Sequence, residues 1–223
     1  LGSDITPEIA AREIALRHGA RGYFDADVIR EAEGQGRADD PARDFERMQR
    51  AIARRGGHAE DLRGLAFITI DPPGAGDLDD AFTIQKHADG SYTWLLATSD
   101  VAHYIRPGGA AARAAARLGN TFYSIDKDGV PEFPMNHPVV SKNLASLLEG
   151  KDSLAMITRM HFDKDGNFQL DKSEVFLGLV NVKGRYTYDQ VARLASGKPG
   201  HGVRHASQAA LAWELAQKLT AQD

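Results

Sequence analysis

Four aspartates lie within ten residues in the segment "FITIDPPGAGDLDDAF": Asp71, Asp77, Asp79 and Asp80. Carboxylates held this closely repel one another unless a counter-charge is present, and the quoted segment contains no Lys or Arg. Hard carboxylate oxygens are the ligands that Mg²⁺, Mn²⁺ and Ca²⁺ prefer. The segment therefore predicts a divalent metal site with all four aspartates as candidate ligands.

The spacing of the aspartates favours their convergence. Asp71 ends an apolar run that predicts a strand, "PPGAG" turns the chain, and Asp77, Asp79 and Asp80 enter a second strand. Alternation along that strand places Asp77 and Asp79 on one side and Asp80 on the other, unless a bulge redirects it. A polar, Asp-rich turn that binds nothing explains the isolated pattern equally well, so both interpretations stay open on these residues alone.

A second acidic segment, "DKDGNFQLDKSE", resembles a calcium-binding EF-hand loop. Asp163, Asp165, Asn167 and Glu174 match loop positions 1, 3, 5 and 12. The sixth position holds Phe168 instead of the required Gly, and the flanking sequence predicts strands instead of helices. We therefore predict a hairpin turn, which weakens the alternative of a calcium-binding structural module.

The first sixty residues have helical patterns. Thr6 is a typical N-cap for a helix that begins at Pro7 and ends before Gly19. A shorter helix is predicted over "DADVIREAE" and a third over Pro41–Arg55. Three short helices fit a helix-turn-helix-like unit, so we predict a helical, RNA-contacting domain over residues 1–60.

The third predicted helix has two different faces. Phe45, Met48 and Ile52 recur at helical spacing on one side. Arginines recur on another side and form what we call the arginine stripe: Arg43, Arg47, Arg50 and Arg54. A solvated surface and a face that follows RNA phosphates both explain such a stripe.

Beyond Arg63 the hydrophobic period changes to two. The segments "LAFITI", "DAFTIQK", "YTWLLATSD" and "LAMITRMHF" predict strands, and "GGAAARAAARLG" predicts a helix that ends at Gly119. Two further helices are predicted over "RYTYDQVARLAS" and "ASQAALAWELAQKLTAQ". The predicted fold class is α+β, with a small helical N-terminal unit before a mixed, mainly antiparallel sheet. The last helix reaches the end of the sequence without a cap, as expected of a fragment.

The composition of the sequence limits the kinds of protein and of metal site that it can form. The 223 residues are 42% hydrophobic and include no Cys, which excludes disulfides and thiolate metal sites and suits a cytoplasmic protein. No apolar run approaches the roughly 20 residues of a membrane span, and no charged-then-apolar leader is seen, so neither membrane insertion nor export is expected. The formal net charge is −4, so nucleic-acid binding requires a local concentration of positive charge.

From Asp61 to about Ala192 the sequence resembles the first part of the RNB catalytic domain of the ribonuclease II and ribonuclease R exoribonucleases. Five blocks in the family's order carry the resemblance: "DLRGLAFITIDPPGAGDLDDAF", "DVAHYIRPGG", "RLGNTFYSIDKDGVPEFP", "SKNLASLLEGKDSLAMITRMHF" and "GRYTYDQV". It implies that residues 61–223 are the N-terminal portion of that domain. It also implies 3′-to-5′ hydrolysis of single-stranded RNA to 5′-nucleoside monophosphates, with Mg²⁺ or alternatively Mn²⁺. DNA is not an expected substrate.

The resemblance also implies roles for individual residues. Asp71 and Asp80 match direct metal ligands, Asp77 a supporting ligand, and Asp79 the residue most critical to the hydrolytic step. Tyr123 matches an aromatic that stacks on the terminal bases and sets the length of the final product.

Two smaller sets of residues match the family less distinctively. Tyr188 matches a tyrosine that lines the RNA path. His103 and Asp100 are also family-like, and we interpret them as structural.

The sequence departs from the family pattern at both ends. Family members usually begin with oligonucleotide-binding barrels, whereas this sequence begins with predicted helices. The family's catalytic arginine and its second stacking aromatic lie beyond the matched portion, as does its C-terminal RNA-binding barrel. We therefore expect activity only together with the C-terminal remainder of the same protein. A non-catalytic RNA-binding relative is the alternative.

Overall fold

The computed structural model describes residues 6–123, 131–195 and 205–221. Its helices are α1 (Pro7–Arg17), α2 (Ala26–Ala38), α3 (Pro41–Ala53), α4 (Val101–Tyr104), α5 (Ala110–Leu118), α6 (Tyr188–Ala195) and α7 (Ala206–Thr220). Its strands are β1 (Ala59–Asp61), β2 (Phe67–Ile70), β3 (Asp80–Lys86), β4 (Tyr92–Ser99), β5 (Phe122–Tyr123), β6 (Pro131–Phe133), β7 (Asp152–Phe162) and β8 (Glu174–Tyr186). None of the helices in the described ranges is both long and apolar enough to cross a membrane.

The chain divides into two compact units. The first comprises Leu1–Asp39, Pro72–Asp77 and Val101–Ser146, and the second comprises Asp40–Asp71, Leu78–Asp100 and Leu147–Asp223. The division places α1 and α2 in the first unit and α3 in the second, so the three N-terminal helices do not share one compact unit. The RNA-contacting role of residues 1–60 stays a prediction.

The first unit is mainly helical. Its small cores include Ala32, Tyr104 and Val140 in one cluster and Ala15 and Phe133 in another. A carboxylate oxygen of Glu31 in α2 accepts the backbone N–H of Ala110 at 2.7 Å. Since the first N–H groups of a helix have no partner within it, this contact caps α5 from a different helix.

The second unit is built on a six-stranded sheet in the order β1-β8-β2-β3-β4-β7, in which β7 also pairs with β8. Residues 177–179 of β8 pair in parallel with β1 and residues 182–186 with β2, whereas residues 174–181 pair antiparallel with β7. Since 177–179 pair with both β1 and β7, those two strands lie on opposite edges of β8. The pairings of β2, β3, β4, β7 and β8 therefore form a closed ring.

Both faces of this sheet are buried, as the apolar strands require. Ile68, Ile84 and Tyr92 share a core with Leu215 of α7. Next to it, the backbone N–H of Ile84 donates to Oε1 of Gln208 in α7 at 2.6 Å. On the same face of the strands, a different core joins the apolar face of α3 to β1, β7 and β8, with buried members Phe45, Ala59, Leu154, Leu177 and Leu179. The opposite face is buried as well, with Phe67 and Ile157 fully buried.

Most predicted elements are confirmed. Thr6 caps α1, since its Oγ1 accepts the backbone N–H of Ile9 at 3.4 Å, and α5 ends at Gly119 in the left-handed conformation with φ 73°. The prediction for α2 was too short, because the helix continues through "GQGRA". The "SIDKDGV" part of the third resemblance block lies outside the described residues.

The acidic segment after β7 forms the predicted turn. One Asp163 carboxylate oxygen accepts the backbone N–H groups of Asp165 and Asn167, each at 2.9 Å, and the other accepts Nδ2 of Asn167 at 2.8 Å. The Asn167 side chain is the main cause that lowers the pKa of Asp163. The oxygens expected at the first EF-hand position thus stabilise their own turn.

Gly178 of β8 lies where the strands leave no room for a side chain. A Cβ atom built there would lie 2.4 Å from Cγ1 of Ile157 and 3.4 Å from Cδ1 of Leu62. We expect Gly178→Ala to lower the free energy of unfolding by about 1–3 kcal/mol, because overpacking displaces well-packed neighbours. Urea unfolding followed by tryptophan fluorescence measures this in the second unit, which contains both tryptophans, Trp94 and Trp213.

The matched control is Gly64→Ala. Gly64 is exposed, and a Cβ atom built there meets nothing within 4 Å. This variant is expected to unfold as the wild type does. Equal unfolding curves for Gly178→Ala and Gly64→Ala would contradict the packing argument.

Candidate active site

Asp71 is fixed by the main chain where β2 ends. Its backbone N–H donates to the carbonyl oxygen of Tyr186 at 2.9 Å, so the pairing of β2 with β8 extends one residue beyond Ile70. Its side chain is partly buried. The position of Asp71 therefore depends on the last residues of β8.

Asp79 and Asp80 are fixed where β3 begins. The carbonyl oxygen of Asp79 accepts the backbone N–H of Ser99 at 2.8 Å, and Asp80 pairs with Thr98 in the β3–β4 register. Both aspartates are exposed, whereas the preceding Leu78 is fully buried. The sequence prediction placed these aspartates inside the strand, but β3 begins only at Asp80, so strand alternation does not govern Asp79.

The register of β2 against β3 brings the two acidic positions to the same end of the sheet. The antiparallel pair is Ile68 with Phe82. Asp71 and Asp79 each lie three residues from that pair, on the same side of it. The strand pairing therefore brings the main chains of these two residues to one end of the sheet, and the convergence of their carboxylates on a metal stays a prediction.

Asp77 belongs to the first unit, where it meets another residue singled out from the sequence. The Tyr123 hydroxyl donates to Oδ2 of Asp77 at 2.7 Å. In the same unit, the Ser146 hydroxyl donates to the carbonyl oxygen of Gly76 at 2.9 Å. Lys142 carbons would lie 3.4 Å from a Cβ built at Gly76, so the end of the "PPGAG" loop is closely packed.

The donor chemistry of the acidic segment fits a hard divalent cation. Asp71, Asp79 and Asp80 of the second unit offer carboxylate oxygens and no nitrogen or sulfur, which is the donor set of Mg²⁺ and Mn²⁺. Their oxygens do not lie within 4.8 Å of one another as a group of three; within the described ranges, the group that does is His58, Glu60 and Glu174. The assignment of the aspartates as ligands stays a prediction.

Tyr188 is the first residue of α6, and the helix start fixes its position. The backbone N–H of Thr187 donates to Oε1 of Gln190 at 2.7 Å, and the backbone N–H of Gln190 donates to Oγ1 of Thr187 at 3.4 Å. This reciprocal pair is a capping box. The Tyr188 side chain is 61% exposed and the Tyr123 side chain 48% exposed, so both rings are accessible for stacking.

The arginine stripe is exposed along α3, opposite the apolar face that packs on the sheet. Asp44 is 3.8 Å from Arg43 and 3.2 Å from Arg47, and Glu46 is 3.8 Å from Arg50. Nε of Arg54 donates to the carbonyl oxygen of Arg50 at 3.2 Å. The pair of Arg50 with Glu46 joins two exposed side chains, and such pairs contribute only about 0–1 kcal/mol, so a phosphate group can compete for Arg50.

His103 and Asp100 have contacts of a structural kind. The His103 ring packs edge-on against Tyr104, with centroids 4.8 Å apart. The backbone N–H of Asp100 donates to the carbonyl oxygen of Leu154 at 3.1 Å, which joins the end of β4 to β7. These contacts accord with the structural interpretation of both residues.

Comparison with known proteins decides the family. Residues 59–222 match the family model of the RNB domain. The chain belongs to the RNB family. Ribonuclease R of Thermotoga maritima is 32% identical over 193 residues, which are 86% of this chain and 25% of that relative. The RNB chain described here thus spans a quarter of the length of this curated relative.

Solved structures share the RNB fold. Mycoplasma genitalium RNase R in complex with double-stranded RNA aligns with a TM-score of 0.81 and 22% identity, over 100% of this chain and 36% of that chain. Yeast Ssd1, a pseudonuclease, aligns with a TM-score of 0.58 and 14% identity, over 74% of this chain and 19% of that chain. These likenesses confirm the α+β fold class and the predicted resemblance to an RNB domain.

The sequence did not identify the partners that hold the acidic residues in place. Tyr186 and Ser99 contribute backbone groups, which other residues could also supply. Ser146 contributes a hydroxyl, which another residue of similar size and polarity could supply. The group of His58, Glu60 and Glu174 was also missed. Glu174 is far from His58 and Glu60 in the sequence, and the pairing of β1 with β8 brings the two segments together.

Proposed function

We propose that this chain is the first part of the catalytic region of a 3′-to-5′ exoribonuclease. The enzyme hydrolyses single-stranded RNA to 5′-nucleoside monophosphates, and it is active together with the C-terminal remainder of the same protein. The observation that carries the proposal is the placement of Asp71 and Asp79 at one end of the β2–β3 pair in an RNB fold.

The proposed reaction breaks one phosphodiester bond at a time. Water attacks the phosphorus of the last linkage, the P–O3′ bond breaks, and a proton moves to the departing O3′. The released nucleotide keeps its 5′-phosphate, and the shortened RNA ends in a 3′-hydroxyl. Negative charge increases on the phosphoryl oxygens during this step, so positive charge at the site accelerates it.

Asp71 and Asp80 would hold Mg²⁺, or alternatively Mn²⁺. When bound, the metal supplies the positive charge that offsets the phosphoryl oxygens and makes water more acidic. Asp79 is exposed, and its main chain is fixed by Ser99, so its carboxylate can orient the attacking water from a constant position. Removal of this carboxylate is expected to stop hydrolysis.

The two tyrosines would bind the RNA bases. Stacking accepts any base because every base has a π-face, which suits a degrading enzyme. Tyr123 would stack on the 3′-terminal bases, and Tyr188 would contact the RNA path. The hydroxyl of Tyr123 is engaged by Asp77, so its ring can be oriented without help from the substrate.

A non-catalytic RNA-binding relative is the competing function. A protein that only binds RNA gains nothing from clustered carboxylates, since they repel phosphate. The complete set of four aspartates therefore supports the enzyme.

The proposal is tested in the full-length protein with RNA labelled at the 5′ or the 3′ end, with and without Mg²⁺. We expect metal-dependent release of 5′-mononucleotides from the 3′ end. Asp79→Asn should lower turnover by orders of magnitude while RNA affinity holds or improves, because the substitution also removes a charge that repels phosphate.

The matched control is Asp171→Asn, which makes the same charge change at an exposed residue outside the candidate site. It should leave turnover unchanged. RNA binding without any hydrolysis in the wild type would identify the non-catalytic relative instead. Loss of affinity together with turnover in Asp79→Asn would assign this residue to binding.

The stacking role of Tyr123 predicts a change in product length. Tyr123→Ala should weaken the grip on short RNA by about 1–3 kcal/mol per lost stack, so digestion should stop at a longer limit product. Tyr123→Phe keeps the ring and removes the hydroxyl that donates to Asp77, so it should keep the wild-type product. Denaturing gels measure both. A longer product from Tyr123→Phe would assign the effect to the hydroxyl.

The arginine stripe predicts a salt-dependent contribution to RNA binding. Each phosphate contact adds about 0.7 to the slope of log affinity against log salt for single strands. Arg50→Gln combined with Arg54→Gln should therefore flatten the slope by about 1 to 1.5 and weaken long RNA more than dinucleotides. Binding titrations at several salt concentrations measure the slope.

The control for this change is Lys164→Gln combined with Lys172→Gln, two exposed residues between β7 and β8. It removes the same charge without touching α3, so it should retain the wild-type slope. Coincident slopes for wild type and the arginine variant would identify the stripe as a solvated surface.

A further inference from the structure

A second cluster of possible metal ligands lies on the second unit, on β1 and β8 and in the residue that precedes β1. His58 precedes β1, Glu60 lies within it, and Glu174 begins β8. Ala59 pairs with Leu177 in parallel, and His58 and Phe176 are the residues that immediately precede this pair. The His58 ring stacks on Phe176 with centroids 4.7 Å apart, so its orientation is fixed by a buried residue.

The three donor atoms have the spacing of a small coordination site. Nε2 of His58 lies 3.4 Å from Oε1 of Glu60 and 3.4 Å from Oε2 of Glu174, and all three atoms lie within 4.8 Å of one another. Ligands about 2.0–2.2 Å from a tetrahedral metal are about 3.3–3.6 Å apart. Both histidine distances fall in that range.

Arg159 of β7 holds both carboxylates by their other oxygens. Its Nη2 donates to Oε2 of Glu60 at 2.6 Å, and its Nη1 donates to Oε1 of Glu174. Its guanidinium lies over the Phe176 ring, 4.6 Å from the centroid. Hydrogen bonds of this kind orient ligating carboxylates in metal sites. One oxygen of each glutamate is thereby directed to His58.

The charge and the donor types select a class of metal. Two glutamates and one arginine give this cluster a net charge of −1. A bound dication would change the net charge to +1, which is small in magnitude. An imidazole nitrogen with two carboxylates suits Zn²⁺ and disfavours Mg²⁺, which prefers oxygen ligands and keeps its waters. Three protein ligands leave a fourth position for water. His58 is half exposed, so the metal has access from solvent.

We propose that His58, Glu60 and Glu174 form a Zn²⁺ site, distinct from the aspartate segment, that links β1 to β8. β1 has only three residues and pairs with β8 alone, so a metal there adds a cross-link where the sheet has few hydrogen bonds. α3 precedes β1 and packs on the same strands. The site therefore also stabilises the attachment of the arginine stripe.

Calorimetric titration of the full-length protein with ZnCl₂ tests the proposal. We expect one equivalent of Zn²⁺ to bind and to raise the melting temperature. A large excess of Mg²⁺ should not displace this equivalent. His58→Gln and Glu174→Gln should each remove this equivalent, and circular dichroism verifies that both variants fold. Co²⁺ in place of Zn²⁺ should give the visible absorption of a four-coordinate site, and this absorption should be absent in both variants.

Two controls separate this site from other binding. His18→Gln replaces an exposed histidine at the end of α1 and should retain the equivalent. Asp79→Asn combined with Asp80→Asn removes two carboxylates of the aspartate segment and should also retain it. Zn²⁺ binding that survives His58→Gln, or that is lost with the two aspartates, would overturn the proposal.

Discussion

A strand has two edges, and β8 uses both along part of its length. One edge pairs with β7, and the other pairs first with β1 and then with β2. This double pairing closes the sheet, and it needs a residue without a side chain at Gly178, where Ile157 and Leu62 approach. The last residue of β8, Tyr186, then fixes the main chain of Asp71, and its first residue, Glu174, meets Arg159. Both clusters of candidate ligands in the second unit therefore depend on the register of one strand.

The repulsion among the carboxylates of the acidic segment is weak, because the segment lies at the ends of strands, where solvent is near. Two unit charges 4 Å apart interact by about 1 kcal/mol in water and by about 4 kcal/mol at an effective dielectric constant of 20. Asp79 and Asp80 are exposed, so the repulsion between them is close to the value in water. A substrate that covers Asp79 and Asp80 would exclude water and raise their repulsion toward the value at a dielectric constant of about 20. It would also add the negative charge of its phosphate. In the proposed enzyme, the need for a cation would thus be greatest with RNA bound, which would link metal affinity to substrate affinity.

Much of the fold follows from local sequence signals. The period-two segments became strands, Thr6 and Gly119 marked helix ends, and the missing Gly at Phe168 separated the hairpin turn from an EF-hand. The acidic segment was recognised from its residue types, and the family resemblance added predicted roles for its aspartates and for Tyr123. Ring closure was not predictable in this way, because β1 and β8 are distant in the sequence and backbone pairing leaves little trace in residue types. The cluster of His58, Glu60 and Glu174 was missed for the same reason.

The proposed binding of RNA by a chain of net charge −4 requires a local concentration of positive charge. The four arginines of the stripe contribute to this charge unequally. Asp44 is buried and contacts Arg43 and Arg47, so it holds these two guanidinium groups near the start of α3. The contact between Arg50 and Glu46, at 3.8 Å, joins two exposed side chains. Arg54 bonds a carbonyl oxygen, which holds its position without neutralising its charge. Phosphate attraction should therefore be concentrated at the C-terminal end of α3, the end that leads directly into His58 and β1.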